Sequence, residues 1–225
     1  MRAVKPSSSG AFDSDSFRLS SIAVRFDVVD VPAAALSEYG RVSIAFEVKR
    51  VAEIQERASA REGEARFALT ERAIAHPYTK DYDSVLGDAP SAWAGRFDLS
   101  RWRFFLARTN GRAVGAAAVA FDTPAVEMLE GRRDLAVLWD IRVSPDARRH
   151  GVGAALIGAA ERWAAANGCR ELKVETQNIN VPACRFYALQ GFTLRTVNRG
   201  AYPDLGHEMQ LLWYKDLTPR EPNPK

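Results

Sequence analysis

The stretch Arg148-Arg149-His150-Gly151-Val152-Gly153-Ala154 joins a strand-like run, Leu135 to Val143, to a helix-like run, Ala154 to Asn167. A glycine-bearing turn between a strand and a helix suggests backbone amides that cradle a phosphate. Gly151 and Gly153 carry no Cβ, so the backbone there can turn tightly and approach a ligand. The first N–H groups of the helix and its dipole attract an anion. Arg148 and Arg149 add positive charge beside them. A dinucleotide fingerprint needs a third glycine, but Leu156 stands three residues after Gly153, and the Gly-Lys-Ser/Thr of a nucleotide P-loop is absent. Two readings stay open: a phosphate cradle of another kind, or a turn that binds nothing.

The rest of the chain fits an α/β domain of ordinary composition. At 225 residues, 47% hydrophobic and 26% charged, it can bury a sizeable single core. Its 31 basic and 28 acidic residues nearly cancel, to a formal +3, so charge gives no reason to expect nucleic acid. The opening MRAVKPSSSGAFDSDSF lacks the apolar core of a secretory signal, and no run is long and apolar enough to span a bilayer. The expected location is the cytoplasm, away from membranes. Cys169 and Cys184 are expected as buried free thiols.

Residues 1–16, Ser-rich and polar, and 218–225, charged and Pro-rich, are expected to be mobile tails. Residues 17–89 form the N-terminal portion of the domain. Within it, 17–31 and 42–54 look strand-like, while 62–75 fits strand or helix by periodicity. Residues 90–217 form the core of the domain. Pro90 opens a short helix to Phe97, and 102–122 reads as a hairpin turning at Asn110-Gly111. The helix after the glycine loop carries Val152, Leu156, Ala159, Ala160 and Trp163 on one stripe and stops at Asn167-Gly168. A strand at 170–176, a helix from Val181 to Gln190 and a last strand pair, 192–199 with 207–217, complete the order.

The Arg148, Gly151 and Gly153 spacing resembles the Arg/Gln-x-x-Gly-x-Gly/Ala pyrophosphate loop of the GNAT acyltransferase superfamily. A second segment strengthens the resemblance: Glu175, Asn180, Ala183, Phe186, Tyr187, Gly191 and Phe192 fit that superfamily's Glu…Asn-x-x-Ala-x-x-Phe-Tyr…Gly-Phe signature. Two independent motifs in the right order are far harder to obtain by chance than one. The implied fold is the GNAT acyl-CoA N-acyltransferase fold, a mixed central sheet flanked by helices. Two parallel strands, 135–143 and 170–176, splay apart, and acetyl-CoA, the implied cosubstrate, lies in the gap. The implied acetyl-CoA contacts are the backbone of Ile141, Arg142 and Val143, the loop of Arg148, Arg149, His150, Gly151, Val152, Gly153 and Ala154, and then Asn180 and Tyr187.

Acetyl transfer to an amine needs a base for the amine proton, a stabiliser for the carbonyl oxygen and a proton for the departing thiolate. By the resemblance, Tyr187 is the acid and Glu175, ending the second splayed strand, is the base. As plain residues, Tyr187 also fits an amphipathic core position and Glu175 a solvated charge. Asp140 is the rival base. Strict alternation sets it on the strand face opposite Val137, Trp139 and Ile141, where pairing with Arg142 is its ordinary role. Val137 occupies the place where histone-type members carry a glutamate. A backbone amide near Ile141 to Val143 is the implied oxyanion donor. Asn180 is the implied pantetheine contact, and its local role is a helix N-cap. His76, His150 and His207 have no metal-ligand spacing, so no metal is expected.

Residues 90–215 are most similar to the streptothricin acetyltransferase group, which implies a small-molecule amine acceptor, streptothricin or a related antibiotic, and implies that 17–89 help to shape the acceptor site. Carboxylates and aromatic faces attract a cationic amine, and the candidates are Asp81, Asp83, Glu127, Asp140 and Glu175 with Tyr78, Trp93 and Tyr202. Protein or peptide N-acetylation and a non-catalytic acyl-CoA-binding module are the alternatives. Strand edges in such a fold allow a homodimer.

Overall fold

The computed structural model describes residues 25–57, 66–85 and 87–218. Both expected tails except Thr218, and the first part of the run expected as a strand at 17–31, lie outside those residues. The described strands are β1 (Asp27–Val31), β2 (Phe46–Glu56), β3 (Phe67–Lys80), β4 (Arg103–Thr109), β5 (Arg112–Phe121), β6 (Leu135–Val143), β7 (Glu171–Gln177), β8 (Thr193–Asn198) and β9 (Gln210–Asp216). The helices are α1 (Leu36–Tyr39), α2 (Trp93–Arg96), α3 (Val152–Ala166) and α4 (Val181–Leu189).

Seven strands form one mixed sheet in the order β1-β4-β5-β6-β7-β9-β8, and β2 and β3 form a separate antiparallel ribbon. Thus the segment ambiguous by periodicity is a strand, and it pairs with β2 along its length around an irregularity between Val48 and Arg50. The β4–β5 hairpin turns at Asn110 (φ 48°) and Gly111 (φ 77°), the two positive angles a type I′ turn requires.

Helix α3 begins at Val152, two residues before the expected start, which brings Gly153 inside its first turn. It lays Val152, Leu156 and Ala160 on the sheet, each 1% exposed or less. Full burial of an aliphatic side chain the size of Leu156 contributes about 1.5–3 kcal/mol. Gly115 of β5 makes the close approach possible, because a Cβ there would stand 2.6 Å from Val152 Cγ1. The helix stops where Gly168 N–H donates to Ala165 and Cys169 N–H to Ala164, with Gly168 at φ 81°. Helix α4 is capped by the Asn180 side chain, which accepts from Ala183 N–H at 3.2 Å.

One face of the sheet carries α3 and α4 over a core that includes Ala136, Leu138, Leu172, Val174 and Tyr187. The other face carries α1, α2 and the segment around Val126 and Leu129 over Val137, Trp93, Trp102 and Phe104. Strand β6 changes phase between its halves. Ala118 pairs with Asp140 and Val119 with Leu138, so Trp139 is an extra residue in a β-bulge. Strict alternation therefore fails there. Ile141 and Val143 join the α3 side, while Asp140 meets Tyr39 on the side of Val137 and Trp139. This corrects the expectation that Asp140 lies opposite Val137 and Trp139.

Candidate active site

Parallel pairing between β6 and β7 runs only from Leu135–Glu171 to Leu138–Val174. Past Leu138 the strands part, and the β6 edge that faced β7 is left without a strand partner. The bulge at Trp139 lies at that fork. A cavity of about 770 Å³ opens there, lined among others by Ile141, Val143, Gly153, Glu175, Asn180 and Tyr187.

The two candidate catalytic side chains reach this gap from opposite faces of the sheet. Tyr187 projects from α4 on the α3–α4 side, ringed by Phe186, Phe192 and Trp213 at centroid distances of 5.7, 5.7 and 6.4 Å. Its hydroxyl takes no hydrogen bond from or to any of the described residues, and the residue lines the cavity. Burial, reinforced by the charge of Asp140, holds the phenol protonated far above its ordinary range. Glu175 follows Val174, the last paired residue, and alternation turns it to the opposite face. Its Oε1 accepts from the Tyr202 hydroxyl and its Oε2 from Gln210 Nε2 at 2.9 Å. Both donors are neutral, and among the described residues no Lys, Arg or His forms an ion pair with Glu175.

Asp140 is held differently. Arg142 donates from Nε to Oδ1 at 2.9 Å and from Nη2 to Oδ2 at 2.6 Å, and the Tyr39 hydroxyl donates to Oδ1 at 2.5 Å. Arg142, whose side chain is fully buried, also donates to Asp83 at 2.8 and 3.1 Å and to the Val42 carbonyl at 3.1 Å. These contacts use all five of its N–H groups. Burial opposes its charge, and Asp140 and Asp83 outweigh that and keep it ionised. Burial and then Asp140 push the Tyr39 phenol well up.

The glycine loop divides its labour. Gly151 has φ 84° and open space where a Cβ would project, and Arg149 is also in the left-handed region, at φ 64°. At Gly153 a Cβ would meet Phe186 Cζ at 2.9 Å, so this glycine serves the packing of α3 on α4. No side chain caps the first turn of α3 and no acidic residue lies in it. Its N–H groups are therefore suited to an anion. Arg148 turns back instead, donating to the carbonyls of Val143 and Ala45 at 3.0 Å each.

Of the predicted cosubstrate residues, Ile141, Arg142, Val143, Arg148, Arg149, Gly153, Asn180 and Tyr187 line the cavity. His150, Gly151, Val152 and Ala154 stand outside its lining, and Val152 is a core residue. Among the acceptor candidates Asp140, Glu175, Trp93 and Tyr202 line it, whereas Asp81, Asp83, Glu127 and Tyr78 do not. Asp81 caps the turn at Asp83 N–H, and Asp83 pairs with Arg142. Sequence reasoning missed Gln177, Gln210, Tyr39 and Tyr82. Gln177 had a readable signal, its two-residue spacing from Glu175 on one strand face. Cys169 and Cys184 are buried and unpaired, as expected. Among the described residues no helix is long and apolar enough to cross a membrane, and no group of His, Cys, Asp and Glu is arranged to hold a metal.

Residues 68–192 match the family described as Acetyltransferase (GNAT) family. Streptothricin acetyltransferase A of Bacillus subtilis (strain 168) is 40% identical over 150 residues, 66% of this chain and 79% of the relative. A streptothricin acetyltransferase of Escherichia coli is 33% identical over 152 residues, 66% and 75% of the two chains. Among solved structures, one assigned as a streptothricin acetyltransferase from Bacillus anthracis str. Ames, in complex with acetyl coenzyme A, superposes with a TM-score of 0.68 at 20% identity. That match covers 85% of this chain and 99% of the other. The splayed strands, the glycine loop opening α3 and the matched segment agree: the chain belongs to the Acetyltransferase (GNAT) family of acetyl-CoA-dependent N-acetyltransferases.

Proposed function

We propose that this protein moves an acetyl group from acetyl-CoA to a primary amine of a small molecule, with a streptothricin as acceptor, Glu175 as base and Tyr187 as acid. One observation carries the reading: the two side chains enter the same gap from opposite faces of the sheet, at the point where β6 and β7 part. A base and an acid on either side of a thioester suit direct attack.

The chain's own residues fit acetyl-CoA. The open edge of β6 past Leu138 offers backbone groups to an amide-bearing arm, and the uncapped first turn of α3 suits a pyrophosphate. When bound, the cosubstrate supplies the acyl group as a thioester. Glu175 accepts the amine proton through an oxygen lone pair that Tyr202 and Gln210 leave free, directly or by way of water. The amine nitrogen bonds to the carbonyl carbon, the C–S bond breaks, and Tyr187 gives its proton to the sulfur. Backbone N–H groups at Ile141 to Val143 stabilise the developing oxyanion. Asp140 is less suited to act as base, since three hydrogen bonds, two from the buried Arg142 guanidinium and one from the Tyr39 hydroxyl, already hold its carboxylate. The acceptor class is supported by the similarity to streptothricin acetyltransferases and by uncancelled negative charge at Glu175.

The test is steady-state acetylation of streptothricin by two variants. Glu175→Gln is expected to lower kcat/KM about 10²–10⁴-fold and abolish the acidic limb of its pH profile. Tyr187→Phe is expected to lower kcat while leaving KM for acetyl-CoA nearly unchanged. An unaltered profile in Glu175→Gln would return the role of base to Asp140 or to water.

A further inference from the structure

We infer that Tyr202 and Gln210 are the positioning residues of Glu175, each fixing one carboxylate oxygen so that the remaining lone pairs face the acceptor amine. This rests on the reading of Glu175 as the base. Tyr202 lies in the connection between β8 and β9, and Gln210 opens β9, so two separate backbone positions clamp one side chain. Gln210 pairs in register with Gln177 and reaches Glu175 diagonally, two residues away on the same face of the neighbouring strand.

The direction of the Tyr202 proton follows from its surroundings. A carboxylate oxygen only accepts, so the Tyr202 hydroxyl donates its hydrogen to Glu175 Oε1. The connection carrying Tyr202 is pinned at its far end. Glu208, 2% exposed, receives Lys80 Nζ of β3 at 2.8 and 3.1 Å, and Asn178 accepts from Met209 N–H at 2.8 Å. Tyr202 is thus held on a braced segment.

The groups around Glu175 are mostly neutral in the working pH range. Tyr202, Tyr82 after β3 and Tyr187 on α4 are phenols that burial holds protonated. Of the neighbouring carboxylates, Glu208 is paired with Lys80 and Asp140 with Arg142. Removing a donor from an ionised carboxylate favours its protonated form, so the acidic limb of kcat/KM moves to higher pH.

The experiment compares the full chain with Tyr202→Phe, Gln210→Leu, Glu175→Gln and the double variant Glu175→Gln/Tyr202→Phe, using acetyl-CoA and streptothricin as probes. Tyr202→Phe removes only the hydroxyl and keeps the ring, so a purely aromatic contact with a cation would leave its kinetics unchanged. The expected result is a fall in kcat of about tenfold, an unchanged KM for acetyl-CoA, and an acidic limb displaced upward by about one pH unit. The double variant is expected to be no slower than Glu175→Gln alone. Gln210→Leu displaces the limb the same way and serves if Tyr202→Phe does not fold. Wild-type rate and pH profile in folded Tyr202→Phe, or effects that multiply in the double variant, would overturn the inference while leaving the base reading intact. Wild-type activity in Glu175→Gln overturns both.

Discussion

At the scale of single residues, burial decides which polar groups are free to react. Arg142 has no exposed side-chain surface and neutralises part of the charge of Asp140 and Asp83. Arg142→Met would strand two carboxylates around an apolar side chain, and about 3–5 kcal/mol of stability should be lost. Denaturant unfolding measures it, and a loss below 1 kcal/mol would mean the cluster behaves as a surface pair. The thiols are inert for the same reason. Burial raises Cys169 to about 11 and Cys184 to about 12, so neither holds appreciable thiolate near neutral pH. Labelling by a thiol-specific disulfide should be slow in the folded protein and reach both cysteines only in denaturant. Fast labelling at pH 7 would contradict their placement in the core.

At the scale of elements, close approach of strands and helices sets the site. Gly153→Ala would press a methyl group into Phe186, the neighbour of Tyr187, and should destabilise by about 1–3 kcal/mol. Thermal unfolding with acetyl-transfer kinetics tests it, since an unchanged midpoint and kcat would show that α4 yields freely. Lys80→Met leaves Glu208 buried without its cation and should loosen the tie between the ribbon and the β8–β9 connection. Adding Glu208→Leu should restore much of the lost stability; if it does not, the pair is not what holds them. This level was only partly legible in the sequence. The Asn110-Gly111 hairpin, the α3 stripe with its Gly168 stop and the α4 cap at Asn180 were readable, because each depends on residues a few positions apart. The phase change at Trp139 was not, since a bulge depends on how β6 registers against β5, and it moved Asp140 to the other face. Nor were the donors to Glu175, because Tyr202 and Gln210 lie 27 and 35 residues away in the chain and meet it only through strand pairing.

At the scale of the whole molecule, one core cluster backs each face of the sheet, and β6 and β7 part past Leu138. Phenols are built into both sides. Tyr39, Tyr82, Tyr187, Tyr202 and Tyr214 are all raised, chiefly by burial. A group that holds its proton more tightly when folded contributes stability that is complete below its unfolded value, near 10 for a phenol, and is lost as pH rises beyond it. The thermal midpoint should therefore carry no tyrosine-linked decline up to about pH 9 and fall steeply above about pH 10, with phenolate absorbance rising together with unfolding. Phenolate appearing near pH 10 in protein that stays folded would contradict the buried placement. The most direct measurement on the whole protein is release of CoA thiol from acetyl-CoA in the presence of streptothricin, with the product weighed in the same sample. The expected result is one acetyl group gained per streptothricin with matching thiol release. Folded protein that binds acetyl-CoA yet leaves streptothricin unmodified would contradict the assigned acceptor.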